Sequence, residues 1–154
     1  MIDIQKLHED TASGDGIAQA ILGICYLHGF NVEVNYEEAF RLLSPLSHRS
    51  RAVTNLARMY AEGLGIPKDV NEAIRLYKNS AKSEFRAQLE LGRIYSRGIG
   101  VPIDHKEALQ WYSAAAMRDD DYVDDPIIAA LVGSGTSEEV QEAKAYVTNA
   151  CAER

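Results

Sequence analysis

Apolar residues recur along this chain with a period of 34 to 35 residues. Tyr26, Tyr60 and Tyr95 are separated by 34 and then 35 positions, and four other positions keep the same spacing. Those four sets are Ala18, Ala52 and Ala87; Leu22, Leu56 and Leu91; Gly29, Gly63 and Gly98; and Ala39, Ala73 and Ala108. A fixed period of this length is the signature of a repeat protein in which each unit is one supersecondary element.

Each repeat predicts two helices joined by a turn. In its first half, Ala, Leu and Tyr fall four residues apart and form one apolar helix face. Glycine follows, with Gly65, Gly100 or Asn31 two residues later, as expected where left-handed backbone ends a helix. Asn35, Asp69 or Asp104 then stands three residues before a Glu, the pattern of a helix N-cap. The predicted first helices lie near 17–28, 51–62 and 85–97, and the second helices near 36–47, 70–82 and 105–117.

The ends of the chain depart from the repeat. Residues 2–13 predict a single helix that covers the open face of the first repeat. After Met117, aspartates crowd residues 119–125, Pro126 opens a short helix to Val132, and Thr136-x-x-Glu139 opens a last helix to about Cys151. We therefore predict one domain with five parts: a capping helix (1–15), three repeats (16–50, 51–84 and 85–120) and a degenerate closing hairpin (121–154).

Composition restricts the possible functions. The chain has 154 residues, 46% of them hydrophobic, and a formal net charge of −7. This charge disfavours nucleic acid and anionic membranes as ligands and favours a basic partner surface. No apolar run approaches the roughly 20 residues that a bilayer requires, and the start shows no signal-peptide pattern. Cys25 falls at an apolar core position, and Cys151 has no evident partner, so we expect a cytoplasmic protein.

The repeat resembles the Sel-1-like repeat family, a branch of the tetratricopeptide-type solenoids. In the third repeat the resemblance is carried by Ala87-x-x-x-Leu91-Gly92-x-x-Tyr95-x-x-Gly98-x-Gly100-Val101, by Asp104, and by Ala108-x-x-Trp111-Tyr112-x-x-Ala115-Ala116. The second repeat differs mildly, whereas the first lacks the second glycine and carries Pro45 in its second helix. The resemblance implies an all-α fold, a right-handed α/α superhelical solenoid of stacked helix–turn–helix repeats. It also implies a scaffold for protein partners without catalytic residues or cofactors.

We expect a concave groove lined by the first helices to bind the partner. The resemblance implies this location, and the candidate residues are positions that the repeat pattern leaves outside the core. Arg58 and Arg93 occupy equivalent repeat positions, and reversing the charge of both together is expected to weaken binding without lowering the melting temperature. The candidates are Ile21, Ile24 and His28 in the first repeat, Asn55, Arg58 and Glu62 in the second, and Glu90, Arg93 and Arg97 in the third.

Other chemistry finds less support in the sequence. The aspartates of residues 119–125 lack the order of a calcium loop, which leaves a solvated loop or an unspecified cation or partner site. The Gly-x-Gly turns follow helices rather than strands, which disfavours a phosphate-binding loop. The histidines lack the spacing of metal ligands, which disfavours a zinc site. The functional hypothesis is a non-enzymatic interaction module, such as an adaptor or an immunity protein that neutralises a basic bacterial toxin. The alternatives are a weak β-lactamase like some cysteine-rich members of the resembled family, whose disulfides this chain lacks, and a self-associating scaffold.

Overall fold

Within the residues that the computed structural model describes (2–118, 124, 128–129, 131 and 134–153), every regular element is helical. This confirms the all-α prediction. We number the main α-helices α1 to α8, and a 3₁₀ turn at Ser44–Leu46 extends α3. The helices are α1 (Ile4–Ala12), α2 (Gly16–His28), α3 (Tyr36–Leu43), α4 (Ser50–Glu62), α5 (Val70–Ser80), α6 (Phe85–Arg97), α7 (His105–Ala116) and α8 (Ser137–Ala152).

The predicted helices are present at nearly the predicted positions. The prediction for 85–97 matches α6, and the other repeat helices begin within one residue of the prediction. The second helix of the first repeat is shorter than predicted, because α3 ends at Leu43 and continues as a 3₁₀ turn containing Pro45. Proline cannot donate the backbone hydrogen bond that an α-helix needs there. The predicted helix from Pro126 to Val132 lies largely outside the described residues.

Left-handed residues end the first helix of every repeat, as predicted. Gly29, Gly63 and Gly98 have φ angles of 75°, 69° and 66°. The residues two positions later also have positive φ, including Asn31 at 56°. The turn then leads to an N-cap, where Asn35 accepts a hydrogen bond from the backbone of Glu38 and Asp69 accepts one from Glu72. These local signals fix where one helix stops and the next begins.

The chain forms two compact units, residues 1–76 and 77–154, whose boundary falls within α5. In the first unit, α2 packs against α1, α3 and α4. Leu22, Cys25 and Leu43 are almost fully buried there. A Cβ atom at Gly23 would lie 2.7 Å from Leu43 Cγ, so α2 and α3 approach each other more closely than a side chain would permit. The small residue beside the repeat leucine is therefore required by helix packing.

In the second unit, α8 completes the core that α6 and α7 begin. Val140 and Ala143 of α8 join Phe85, Leu89 and Tyr112 in one buried cluster. The predicted capping box at the start of α8 is present, with reciprocal contacts between Thr136 and Glu139. Trp111 of α7, one of the residues that carry the resemblance, is only partly buried. Its indole N–H donates to Glu107, so the ring lies at the surface of the helix rather than in the core.

Candidate protein-binding surface

The nine candidate residues divide between the two units, and one of them is not a surface residue. Ile24 has no exposed area and belongs to the core of the first unit. Its helix is covered by three neighbours, so a position that faces solvent in an isolated hairpin is enclosed here. The expectation that Ile24 is free to contact a partner is therefore wrong. Of the other eight, Glu62 and Arg97 are exposed and six are partly buried.

In the first unit, the candidates lie on two adjacent helices that contact each other through polar side chains. His28 Nε2 lies 3.5 Å from Asn55 Oδ1. Arg58 Nη1 lies 3.2 Å from His28 Nδ1 and 3.4 Å from His28 Nε2. This atom is therefore close to both nitrogens of the imidazole ring. The structure thus brings His28, Asn55 and Arg58 together.

Arg58 is held from two sides while part of its side chain stays accessible. Its Nε donates to Glu62 at 3.0 Å, and its side chain is 36% exposed. His28, which supports the guanidinium, is itself stacked on Phe30 with ring centroids 5.0 Å apart and an interplanar angle of 11°. An arginine fixed in this way loses little side-chain entropy when it binds a partner group.

Sequence reasoning missed three residues of this surface. Ile17 is 60% exposed, one turn before Ile21 on the same face of α2. Arg51 holds the equivalent place on α4, where Asn55 Nδ2 donates to its backbone oxygen at 2.8 Å. The spacing i, i+4, i+7, i+11 could have revealed both, because it extends each predicted trio by one turn. Phe30 follows the helix-ending glycine, and its contact with His28 has no signal in the periodicity.

We call this region the α2–α4 surface. It comprises one row on α2, its flanking phenylalanine, and one row on α4. Its residues are Ile17, Ile21, His28 and Phe30 from α2 and the turn after it, and Arg51, Asn55, Arg58 and Glu62 from α4.

In the second unit, α8 engages the equivalent row of α6. Arg93 donates to Glu142 at 2.6 Å and to Glu90 at 2.7 Å. Arg97 also reaches Glu142, at 3.2 Å, and Arg86 pairs with Glu139 through both oxygens. The hydrogen bond to Glu142 raises the pKa of Arg93 above its ordinary value. The same interaction with Arg93 lowers the pKa of Glu142.

This pairing changes what the charge reversal of Arg93 tests. The side chain is only 20% exposed and bonds two carboxylates, so reversing its charge would place three acidic groups together. Removing one member of a partly buried ion pair destabilises a protein more than removing an exposed one. The double reversal of Arg58 and Arg93 therefore mixes stability with binding, and Arg58 alone is the informative position.

The sulfur chemistry of the described residues gives no sign of an activated thiol. Cys25 is fully buried, and burial raises the pKa of its thiol to about 11. Cys151 is exposed, and neither residue is in a disulfide. Among the described residues, no helix combines the length and the apolarity needed to cross a bilayer.

Several known proteins are similar to this chain. Protein sel-1 homolog 2 of Mus musculus is 34% identical over 73 residues, and the protein of the same name from Homo sapiens is 33% identical over 73 residues. Each match covers 46% of this chain and 11% of the relative, so the chain spans about one ninth of the curated relatives it matches.

Two solved structures resemble the fold. A Sel1 repeat protein from Oxalobacter formigenes is 34% identical with a TM-score of 0.59, covering 86% of this chain and 98% of that one. A protective antigen of uropathogenic Escherichia coli with an SLR fold is 25% identical with a TM-score of 0.68, covering 97% of this chain and 33% of that one.

The repeats match a known family model in three places. The model for the Sel1 repeat matches residues 16–45, 50–84 and 86–120. Sel1 repeats generally form non-enzymatic scaffolds, and their fold supports a role in protein–protein interaction. With more than half of its length matched and similar repeat structures already solved, this chain belongs to the Sel1 repeat family.

Proposed function

We propose that this chain is a non-enzymatic protein-binding module and that the α2–α4 surface contacts the partner. One observation carries the proposal: His28, Asn55 and Arg58 are held together on two adjacent helices and remain partly accessible. Such a surface is available for recognition.

The residue types of the surface fit a protein interface. Arginine is among the residues that contribute most to binding energy at interfaces, particularly when it is preorganised and flanked by groups that exclude water. Arg58 has this environment, with Glu62 on one side and the His28–Phe30 stack on the other. Ile21 adds partly exposed aliphatic area next to these polar groups. A small interface centred on Arg58 is the arrangement that this geometry supports best.

The cellular role we propose is that of an adaptor or of an immunity protein that neutralises a basic toxin or effector. The net charge of −7 supports this role, because it attracts a basic partner over long range. We also propose a cytoplasmic location. Two free cysteines, one of them exposed, are typical of a reducing compartment.

Arg58→Glu tests whether the α2–α4 surface binds the partner. Partner recovered by affinity purification of the unaltered chain is titrated against the variant by calorimetry, and we expect affinity to fall by about tenfold or more. The matched control is Arg75→Glu on α5, which changes the same charge at an exposed arginine that likewise pairs with a glutamate on its own helix. Equal affinities for both variants, at unchanged melting temperatures, would contradict the proposal.

Co-expression with the product of the adjacent gene tests the proposed immunity role. We expect a stoichiometric complex and protection of growth against that product, and Arg58→Glu should remove both. Complex formation without protection supports an adaptor instead. Absence of both excludes this gene product as the toxin.

A further inference from the structure

Helix α1 is held to the first unit more weakly than its neighbours are. None of its nine residues, all of which the structure describes, is buried, whereas α2 buries seven residues and the shorter α3 buries three. The apolar side chains of Ile4 and Leu7 are only partly buried. Because so few buried apolar contacts hold it, α1 is the helix of this unit that should open most readily.

The hydrogen bonds that join α1 to the rest of the unit lie at the surface. His8 Nε2 is 3.0 Å from the hydroxyl oxygen of Tyr26 on α2. Asn31 Nδ2, in the turn after α2, donates to the backbone oxygen of Ile2 at 2.9 Å. Both contacts are exposed, so water replaces them at little cost when α1 moves away. We call the face of α2 that α1 covers, which includes Tyr26, the α1 seat.

Thr11 makes the fit of α1 on its seat imperfect. Its side-chain oxygen Oγ1 is buried, and among the described residues no group forms a hydrogen bond with it. A buried hydroxyl without a partner opposes docking, because it loses its bonds to water and forms no others. The α1 seat therefore favours a helix that places an apolar group at this position.

Both helices keep their own stabilising contacts when they separate. Within α1, Asp3 accepts a hydrogen bond from the backbone of Lys6, and Lys6 Nζ pairs with Asp10 at 2.8 Å. The Asp15 side chain caps α2 by accepting from the backbone of its first turn. Between them, Gly14 has a φ of 91°, and a Cβ atom there would meet no other described atom within 4 Å. The link thus packs loosely and permits movement.

The α1 seat and the α2–α4 surface lie on opposite sides of α2. Tyr26 follows Ile17 by nine residues. This spacing corresponds to about two and a half helical turns, so the two side chains point in opposite directions. A ligand on the α1 seat is therefore distinct from one on the α2–α4 surface.

We propose that α1 is a displaceable cap and that an amphipathic helix of a partner protein takes its place on the α1 seat. The incoming helix carries aliphatic residues at the positions of Ile4, Leu7 and Thr11, a spacing of i, i+3 and i+7. Helix α1 itself shows that the seat accepts this spacing, and the unpartnered hydroxyl of Thr11 shows how a competitor can fit better. This inference goes beyond the proposed function, because it concerns the other side of α2 and makes α1 the regulator of access.

Thr11→Val tests whether α1 is displaceable, with hydrogen exchange followed by mass spectrometry. In the unaltered chain, we expect the amides of α1 to exchange at least about a hundredfold faster than those of α2. Valine has nearly the shape of threonine without the hydroxyl, so Thr11→Val should slow exchange in α1 by about tenfold. The matched control is Thr148→Val, the same substitution at an exposed position of α8, which should leave α1 unchanged.

A peptide with the sequence of residues 1–14 and Thr11→Val probes the α1 seat of the full chain. Its binding is measured by fluorescence anisotropy, and its apparent affinity depends on the fraction of chains in which α1 has left the seat. Leu7→Ser in the chain weakens α1 and should tighten peptide binding by about tenfold. Thr11→Val in the chain should weaken it by about the same factor. A control peptide that also carries Leu7→Ser should bind at least about tenfold less tightly.

Three results would overturn the inference. The first is exchange of α1 and α2 at the same rate in the unaltered chain. The second is a peptide affinity that neither chain variant changes, with circular dichroism showing that both variants are folded. The third is dimerisation that grows with concentration and is lost in Leu7→Ser, which would assign the seat to α1 of a second copy. The proposed function is tested separately by Arg58→Glu, so either can fail without the other.

Discussion

Gly92 shows how one missing side chain sets the distance between two helices. A Cβ atom at this position would lie 2.9 Å from Cγ of Tyr112, inside normal contact distance. We expect Gly92→Ala to destabilise the chain by about 1–3 kcal/mol, because the buried Tyr112 ring has little room to move. Urea unfolding measures the change. Alanine is a better helix former than glycine by about 1 kcal/mol. An increase in stability would therefore show that the Tyr112 ring moves to make room for the added methyl group.

The two cysteines should differ in reactivity for a reason visible at the residue scale. Cys25 is fully buried, and burial raises its thiol pKa to about 11, whereas Cys151 is exposed. A thiol reagent at pH 8 should therefore modify Cys151 rapidly and Cys25 only after denaturation. Mass spectrometry of the modified peptides identifies the residue. Rapid modification of Cys25 in the folded chain would mean that α2 opens readily.

Residue positions within each repeat were predictable because they recur. The helix-ending glycines and the caps were predicted from the spacing and were found as predicted. The burial of Ile24 was not predictable, because it depends on helices that surround α2 rather than on α2 itself. For the same reason, the stacking of Phe30 on His28 was missed: the contact joins a turn residue to a helix residue.

At the scale of elements, the role of α8 follows from its contacts with α6. The paired residues of α6 and α8 are 45 to 53 positions apart in the sequence. Because α8 lacks the repeat pattern, the periodicity does not predict this pairing. The capping-box pattern predicted that a helix exists here, but not which arginines it engages. The assignment of residues 121–154 as a closing hairpin stays a prediction, because most of 119–133 lies outside the described residues.

Glu142 should make the second unit sensitive to acid. The hydrogen bond from Arg93 lowers the pKa of this carboxyl in the folded chain. Its contribution to stability is therefore complete above the unfolded pKa of about 4.3 and is lost as pH falls through the lower folded pKa. We expect Glu142→Gln to cost about 1 kcal/mol at pH 7 and much less at pH 3.

Urea unfolding at the two pH values measures this difference. The matched control is Glu72→Gln, which breaks an exposed pair with Arg75 within one helix and should cost less than about 0.5 kcal/mol. Equal costs for the two variants at pH 7 would indicate that the bonds between α8 and α6 contribute no more than a surface pair.

At the scale of the whole molecule, stability should be local. The described helices pack mainly against neighbours in sequence, as in other repeat proteins whose stability is a sum of repeat and interface contributions. Gly92→Ala should therefore accelerate hydrogen exchange in α6 and α7 far more than in α2. Exchange followed by mass spectrometry provides the measurement. A uniform increase along the chain would show that both units unfold as one cooperative block.

The pairing of the α6 arginines with α8 has a consequence for how such proteins diverge. Arg93 has two carboxylate partners, so a substitution there must be matched by a second one on α8 before the fold tolerates it. Ile17, which is 60% exposed, faces no such constraint, and Arg58 pairs with Glu62 of its own helix rather than with two carboxylates, so single substitutions there should cost less. Lineages descended from a common ancestor should therefore acquire new partner preferences through α2 and α4, while α6 and α8 change slowly and together.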